Sequence, residues 1–74
     1  MINAEQIKYI RDYTGYTIHE SKAAAQLLDQ AGIDIYSDEA ATIMHMRYFY
    51  EKTCRYAKYQ EIKDLIKEFG SLEN

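Results

Sequence analysis

The sequence predicts an all-α fold, a small three-helix bundle whose long third helix bends or splits near residues 58–61, giving three to four helices. Three observations support this class. Proline is absent, each of the three glycines follows a helical pattern, and a capping residue precedes each pattern. The 74 residues are enough for one small core, so residues 1–74 are expected to form a single helical domain.

The first helix is predicted from about Ala4 to Thr14. Asn3 is a favourable N-cap residue, and Gln6, three positions later, completes a capping box. Gly15 follows the last helical residue, where a left-handed conformation commonly ends a helix. These signals bound the helix at both ends.

The second helix begins after Thr17, which forms a full capping box with Glu20, and it stops before Gly32. Its centre contains three consecutive alanines at positions 23–25. Alanine is small enough to let a neighbouring helix approach closely, so we expect this helix to pack against another one there.

The third helix is capped by Ser37 after a short extended link at residues 33–36. Nothing between Asp38 and Phe69 interrupts helicity, and a straight helix of that length would extend roughly 48 Å. A compact domain of this size has a radius of gyration of only about 11 Å. The length of the helix therefore favours a bend or a break.

Two apolar sets on this helix indicate where the bend lies. The first set follows heptad spacing and is predicted to be core, with Cys54 beside it: Ile43, Met46, Tyr50, Thr53 and Ala57. The second set is rotated from the first by roughly 100°: Ile62, Leu65, Ile66 and Phe69. A bend or a break near residues 58–61 lets both sets face one core, whereas a straight helix exposes one of them to a partner chain.

Segment 44–60 concentrates charge and aromatic residues, with five aromatic residues and a net charge of +3 in a chain whose net charge is −3. Four of its residues lie at i, i+4, i+7 and i+11, which makes one stripe on the helix surface. With Tyr56 at the edge of the stripe, the predicted partner-binding residues are Tyr48, Lys52, Arg55, Tyr56 and Tyr59.

Three interpretations of this stripe stay open. Tyrosine and arginine are typical anchors of protein interfaces. Alternating tyrosines and bases can also stack on nucleobases and pair with phosphates, although the acidic average charge argues against a general nucleic-acid binder. In a purely structural role the rings pack on a small core, and the basic side chains extend over them.

Other functional classes lack support in the sequence. There is no phosphate loop, paired-carboxylate motif or other catalytic signature, so no enzyme activity and no cofactor are expected. His19 and His45 lack further ligands at metal-binding spacing, so no metal is expected. The single cysteine and the absence of an apolar leader or membrane-spanning run predict a cytoplasmic protein.

Two segments of the first half of the chain follow a pattern known from another protein family: residues 7–15 (IKYIRDYTG) and residues 22–25 (KAAA). Over residues 4–45 the chain resembles the ubiquitin-associated-like module at the N-terminus of elongation factor Ts. That resemblance implies a compact three-helix bundle of a kind that binds proteins through an exposed apolar patch. The link at residues 32–38 and the tyrosine-rich third helix are both longer here, so only the architecture is carried over. A helix-turn-helix between residues 23 and 47 is a competing interpretation.

The sequence thus predicts a small protein-binding module that regulates or inhibits a larger protein partner, without membrane association. Its size and acidity are typical of accessory proteins of phages, mobile elements and toxin–antitoxin loci. Two alternatives remain. One is a regulator that binds nucleic acid through the basic and aromatic stripe, and the other is a structural homodimer formed through the third helix.

Overall fold

A computed structural model describes residues 1–73, and the side chains of residues 1–70, as four helices. These are α1 (Ala4–Thr14), α2 (Ile18–Gln30), α3 (Asp38–Met44) and α4 (Arg47–Glu73). Helices α1 and α4 both pack on α2, and α3 packs against α4. The predicted all-α fold is confirmed. Within the described residues, no helix has the length and apolar character needed to cross a membrane.

The helix ends follow the capping signals of the sequence. In α1 the side chain of Asn3 accepts a hydrogen bond from the backbone of Gln6, and the Gln6 side chain accepts one from the backbone of Asn3, both over 2.9 Å. Thr17 and Glu20 form the same reciprocal pair at the start of α2, over 3.2 and 2.9 Å. Gly15, with φ of 80°, ends α1 in the left-handed conformation that favours glycine.

The apolar core centres on α2. Alanines 23–25 are buried, as expected for the point where neighbouring helices approach closely. Burying a side chain such as that of Leu28 contributes about 1.5–3 kcal/mol to folding. The large core residues come from α1, α2, the links and both later helices: Ile10, Tyr16, Leu28, Ile35, Met44 and Phe49.

Helix α4 runs without interruption through residues 58–61, so the long helix does not split there. The side of α4 that faces α2 beyond this point is polar, because Gln60, Glu61 and Asp64 line a cleft of about 260 Å³ with residues of α2. The α2 residues across this cleft are mostly polar, so they offer the second apolar set little to pack against: His19, Lys22, Ala23 and Gln26. The molecule is therefore elongated, 47 × 23 × 21 Å, with a radius of gyration of 13.6 Å.

The break lies instead at His45 and Met46, between α3 and α4. The backbone N–H groups of both residues donate to carbonyl oxygens three positions earlier, over 3.2 and 3.0 Å, which tightens the final turn of α3. The Tyr16 hydroxyl donates to the carbonyl oxygen of Met44 over 3.2 Å. It satisfies an acceptor of the kind that a helix end leaves without a helical partner. The Tyr13 hydroxyl lies 2.9 Å from Nε2 of His45.

The position of the break changes which residues are buried. Met46 and Tyr50 were predicted to be core but are 52% and 42% exposed, whereas Met44 and Phe49 are buried. A heptad pattern extended across a break fails because each helix has its own rotational phase. Thr53 is fully buried, as predicted. The other members of the predicted core lie at its margin, half-buried: Ile43, Cys54 and Ala57.

Removing the Tyr16 hydroxyl tests its role at the break. Tyr16→Phe leaves the Met44 carbonyl without this donor, so we expect the free energy of unfolding to fall by about 1–2 kcal/mol in urea denaturation. Tyr36→Phe is the control, because Tyr36 is half exposed, and it should change the value by less than about 0.5 kcal/mol. Equal stability of Tyr16→Phe and the wild type would contradict this role.

Two hydroxyls, those of Ser21 and Thr53, are fully buried and have no hydrogen-bond partner among the described residues. An unsatisfied buried polar group is costly, so Thr53→Val should raise the free energy of unfolding by about 1 kcal/mol. Thr42→Val is the control, because the hydroxyl of Thr42 is exposed and donates to a carbonyl oxygen over 3.0 Å. Chemical denaturation measures the free energy of unfolding of both variants, and Thr42→Val should not gain stability. A loss of stability in Thr53→Val would contradict the conclusion that its buried hydroxyl is unsatisfied.

Candidate functional site

The predicted binding stripe lies along the outer face of α4, away from the buried Phe49 and Thr53. Tyr48 and Tyr59 expose 70% and 59% of their surface, and Lys52 and Arg55 are also exposed. The intervals of four, three and four residues bring these four side chains onto one line of the helix surface.

Tyr56 lies at the edge of this stripe and is half-buried. Its hydroxyl accepts a hydrogen bond from Nε2 of Gln30 at the end of α2, over 3.4 Å. Tyr56 therefore contributes to the contact between α4 and α2, and it is less exposed than the other four residues of the predicted site.

An apolar groove of about 370 Å³ adjoins the stripe. It lies between the C-terminal part of α2, α3 and the first turns of α4. Tyr48 and Lys52 line it as well, so the stripe and the groove form one continuous surface. The apolar lining comes from α2, α3, α4 and the links between them: Leu27, Ile33, Ile43, Met46 and Phe49.

The groove was not predicted from the sequence, because its lining residues are distant along the chain and share no local pattern. The helix break at residues 45 and 46 brings them together. Met46, which heptad spacing placed in the core, instead lines the groove and is half exposed.

The stripe continues beyond Tyr59, because α4 is one continuous helix through residues 58–61. Ile62, Ile66 and Phe69 follow at intervals of three, four and three residues, with Leu65 beside them, and all four are 47–66% exposed. The sequence already showed a regular spacing from residue 48 to residue 69. The predicted break separated the two halves of this pattern, so their common face was missed.

The charge on the stripe is available for binding. Among the described residues, Lys52 and Arg55 form no ion pair. Arg47 lies 3.4 Å from the carboxylate of Glu51, an exposed pair that contributes little to stability. The surface therefore presents two uncompensated cations between exposed tyrosine rings.

A separate polar cluster joins α2 to α4. The thiol of Cys54 and the hydroxyl of Tyr50 donate to the same oxygen of Glu20, over 3.3 and 3.4 Å. The pKa of Glu20 lies below its ordinary value, chiefly because the backbone N–H of Thr17 donates to the carboxylate. Burial, followed by the contact with Glu20, raises the pKa of Cys54. This thiol therefore carries little of the reactive thiolate at neutral pH.

The described residues contain no group of three or more histidine, cysteine or acidic side chains that could hold a metal ion. His19 lies on α2 and His45 follows α3, so the two histidines belong to different elements. The chemistry that the candidate site offers is thus aromatic, apolar and cationic contact.

No protein-family model matches the chain, and no curated protein or solved structure matches it. The resemblance of residues 4–45 to the ubiquitin-associated-like module stays a prediction. A function for this protein therefore has to follow from the chemistry of its surface.

The Glu20 carboxylate leads to a prediction about pH. Its folded pKa is below the ordinary value of 4.5, so its stabilising effect is complete above that value and is lost as the pH falls through the lowered pKa. We expect Glu20→Gln, which keeps a capping acceptor, to lower the free energy of unfolding at neutral pH. The difference from wild type should disappear in acid.

Denaturant unfolding between about pH 7 and pH 2 measures this difference. Glu68→Gln is the matched control, because Glu68 is an exposed carboxylate on α4, and its effect should stay small throughout. A deficit of Glu20→Gln that is the same at every pH would contradict the prediction.

Proposed function

We propose that this protein is a small, non-enzymatic cytoplasmic binding module that regulates or inhibits a larger protein partner. One observation carries the proposal. An apolar groove opens at the surface directly beside exposed tyrosine and basic side chains, including Tyr48 and Lys52, which belong to both features.

The groove supplies the anchor point. Interface energy concentrates where a large apolar side chain fills a pocket and polar or aromatic neighbours exclude water around it. The lining is apolar, and Tyr48 can cover an inserted side chain. Tyrosine, arginine and methionine are enriched in such interfaces, and all three occur here.

The charges determine the chemistry of the partner. Lys52 lines the groove and Arg55 follows it on the stripe, on a chain whose overall charge is −3, so an acidic segment is attracted to this face and repelled from the rest. The surface therefore suits a protein segment with an exposed apolar side chain flanked by aspartate or glutamate.

The rival partner is nucleic acid, and two features weigh against it. The groove is lined by aliphatic and aromatic side chains, whereas a phosphate backbone requires a track of cations. One of the nearby bases, Arg47, is also paired with Glu51. A protein partner is therefore favoured, and the experiment below includes a nuclease treatment that detects binding to nucleic acid.

The size and acidity of the chain support a setting among accessory proteins of phages, mobile elements or toxin–antitoxin loci. The proposed groove would hold one side chain of that target while the stripe contacts its acidic surroundings.

Affinity capture from an extract of the cells that produce the protein tests the proposal. The wild type should retain a specific larger protein, and Lys52→Glu and Met46→Arg should each reduce its recovery by about tenfold or more. Met46 is half exposed, so arginine there obstructs the groove without entering the core.

Lys8→Glu makes the same charge change as Lys52→Glu on the exposed surface of α1 and should retain the partner fully. Recovery that is equal for all variants would exclude the groove and stripe as the binding surface. If the recovery disappears after nuclease treatment, the stripe binds nucleic acid and the proposal of a protein partner is wrong.

A further inference from the structure

The second half of α4 extends beyond the bundle with all of its residues from 61 to 70 exposed. Its side towards α2 is polar. Its outer side carries five large side chains, each 47–66% exposed, which we call the distal face: Tyr59, Ile62, Leu65, Ile66 and Phe69. Exposed apolar surface of this extent on one side of a helix indicates an interaction site.

The distal face has a pattern that is the same in both directions. An aromatic residue, an isoleucine, an isoleucine and an aromatic residue occur at intervals of three, four and three residues: Tyr59, Ile62, Ile66 and Phe69. The pattern is symmetric about position 64. Such alternating intervals form the apolar seam of a left-handed helix pair.

We propose that two copies of this chain pair through their distal faces as an antiparallel, two-fold symmetric helix dimer centred on residue 64. A two-fold contact requires that residue i meets j and that j meets i. This register places Tyr59 against Phe69 of the second copy and Ile62 against Ile66 of the second copy. Leu65 then flanks the centre close to its own equivalent.

The available area suits a dimer that depends on concentration. Five side chains that are about half exposed offer roughly 500 Å² per copy, taking 150–250 Å² for a large side chain. The total of roughly 1,000 Å² is near the lower limit for a specific interface. We therefore expect a reversible equilibrium between monomer and dimer.

Charge selects the antiparallel direction. Parallel pairing would bring Lys52 and Arg55 of one copy beside the same residues of the other, and like charges repel. The antiparallel register separates the two copies of Lys52 by roughly 35 Å along the helix axis. The antiparallel register also brings Lys63 of one copy near Lys63 of the other. Both side chains lie at the exposed edge of the pair, where solvent screens their repulsion and keeps the energetic cost small.

This dimer goes beyond the proposed function and leaves the apolar groove uncovered, so the groove can bind a partner in either the monomer or the dimer. Tyr48, Lys52 and Arg55 also lie outside the paired segment. Tyr59 belongs to both surfaces and is covered by Phe69 of the second copy. The dimer would then present two partner-binding surfaces at opposite ends.

Sedimentation equilibrium from roughly 10 µM to 1 mM tests self-association. The apparent mass of the wild type should rise from 8.7 kDa towards twice that value. Ile66→Lys should remain monomeric throughout, while Glu68→Lys, on the same helix but off the distal face, should behave as wild type. A monomeric wild type at the highest concentration, or unaltered association of Ile66→Lys, would overturn the proposal.

Disulfide trapping tests the direction in a Cys54→Ser background, which removes the only native thiol. Ile62→Cys and Ile66→Cys face each other in the antiparallel register, so an oxidised mixture with one variant tagged should give the mixed disulfide. Each variant alone should not cross-link, because equal positions are offset by roughly 6 Å along helices 8–10 Å apart. Cross-linking of either variant alone, or none in the mixture, would overturn the antiparallel register.

Discussion

The hydrogen bond from the Tyr16 hydroxyl to the Met44 carbonyl is the contact on which the arrangement of this molecule depends. It lies in the core, and burial raises the pKa of Tyr16, so the hydroxyl remains a donor. By satisfying a carbonyl at the end of α3, it stabilises the break between α3 and α4. That break sets the rotation of α4, which places Phe49 and Thr53 inside and Tyr48 at the surface.

The break before α4 and the continuity of α4 together give this helix two regions with different surfaces. Near the break, α2, α3 and α4 leave an apolar groove beside a basic and aromatic stripe. Beyond residue 60 the helix extends past the bundle, with an apolar outer face and a polar inner one. In the proposed dimer the continuous helix α4 connects these regions, so self-association presents two grooves and can increase the avidity for a multivalent target.

Much of the fold was predictable because its signals are local. The reciprocal capping pairs of Asn3 with Gln6 and of Thr17 with Glu20 define helix starts through contacts between neighbours in sequence. The stripe was predicted to be exposed because its residues share one side of the helix, and the core was predicted to lie on the opposite side. Burial of Met44 and Phe49 in place of Met46 and Tyr50 was not predictable in this way, because it depends on a break supported by Tyr16, 28 residues away.

The sequence by itself determined the all-α class, the capped ends of the first two helices and a basic, aromatic stripe with regular spacing, since these depend on residue type and helical period. Only the tertiary structure decided where the long helix breaks and which of its faces is buried. It also decided that the groove exists, because distant residues form it. The second apolar set stays outside since α2 offers it a polar surface, and no local pattern in α4 contains that information.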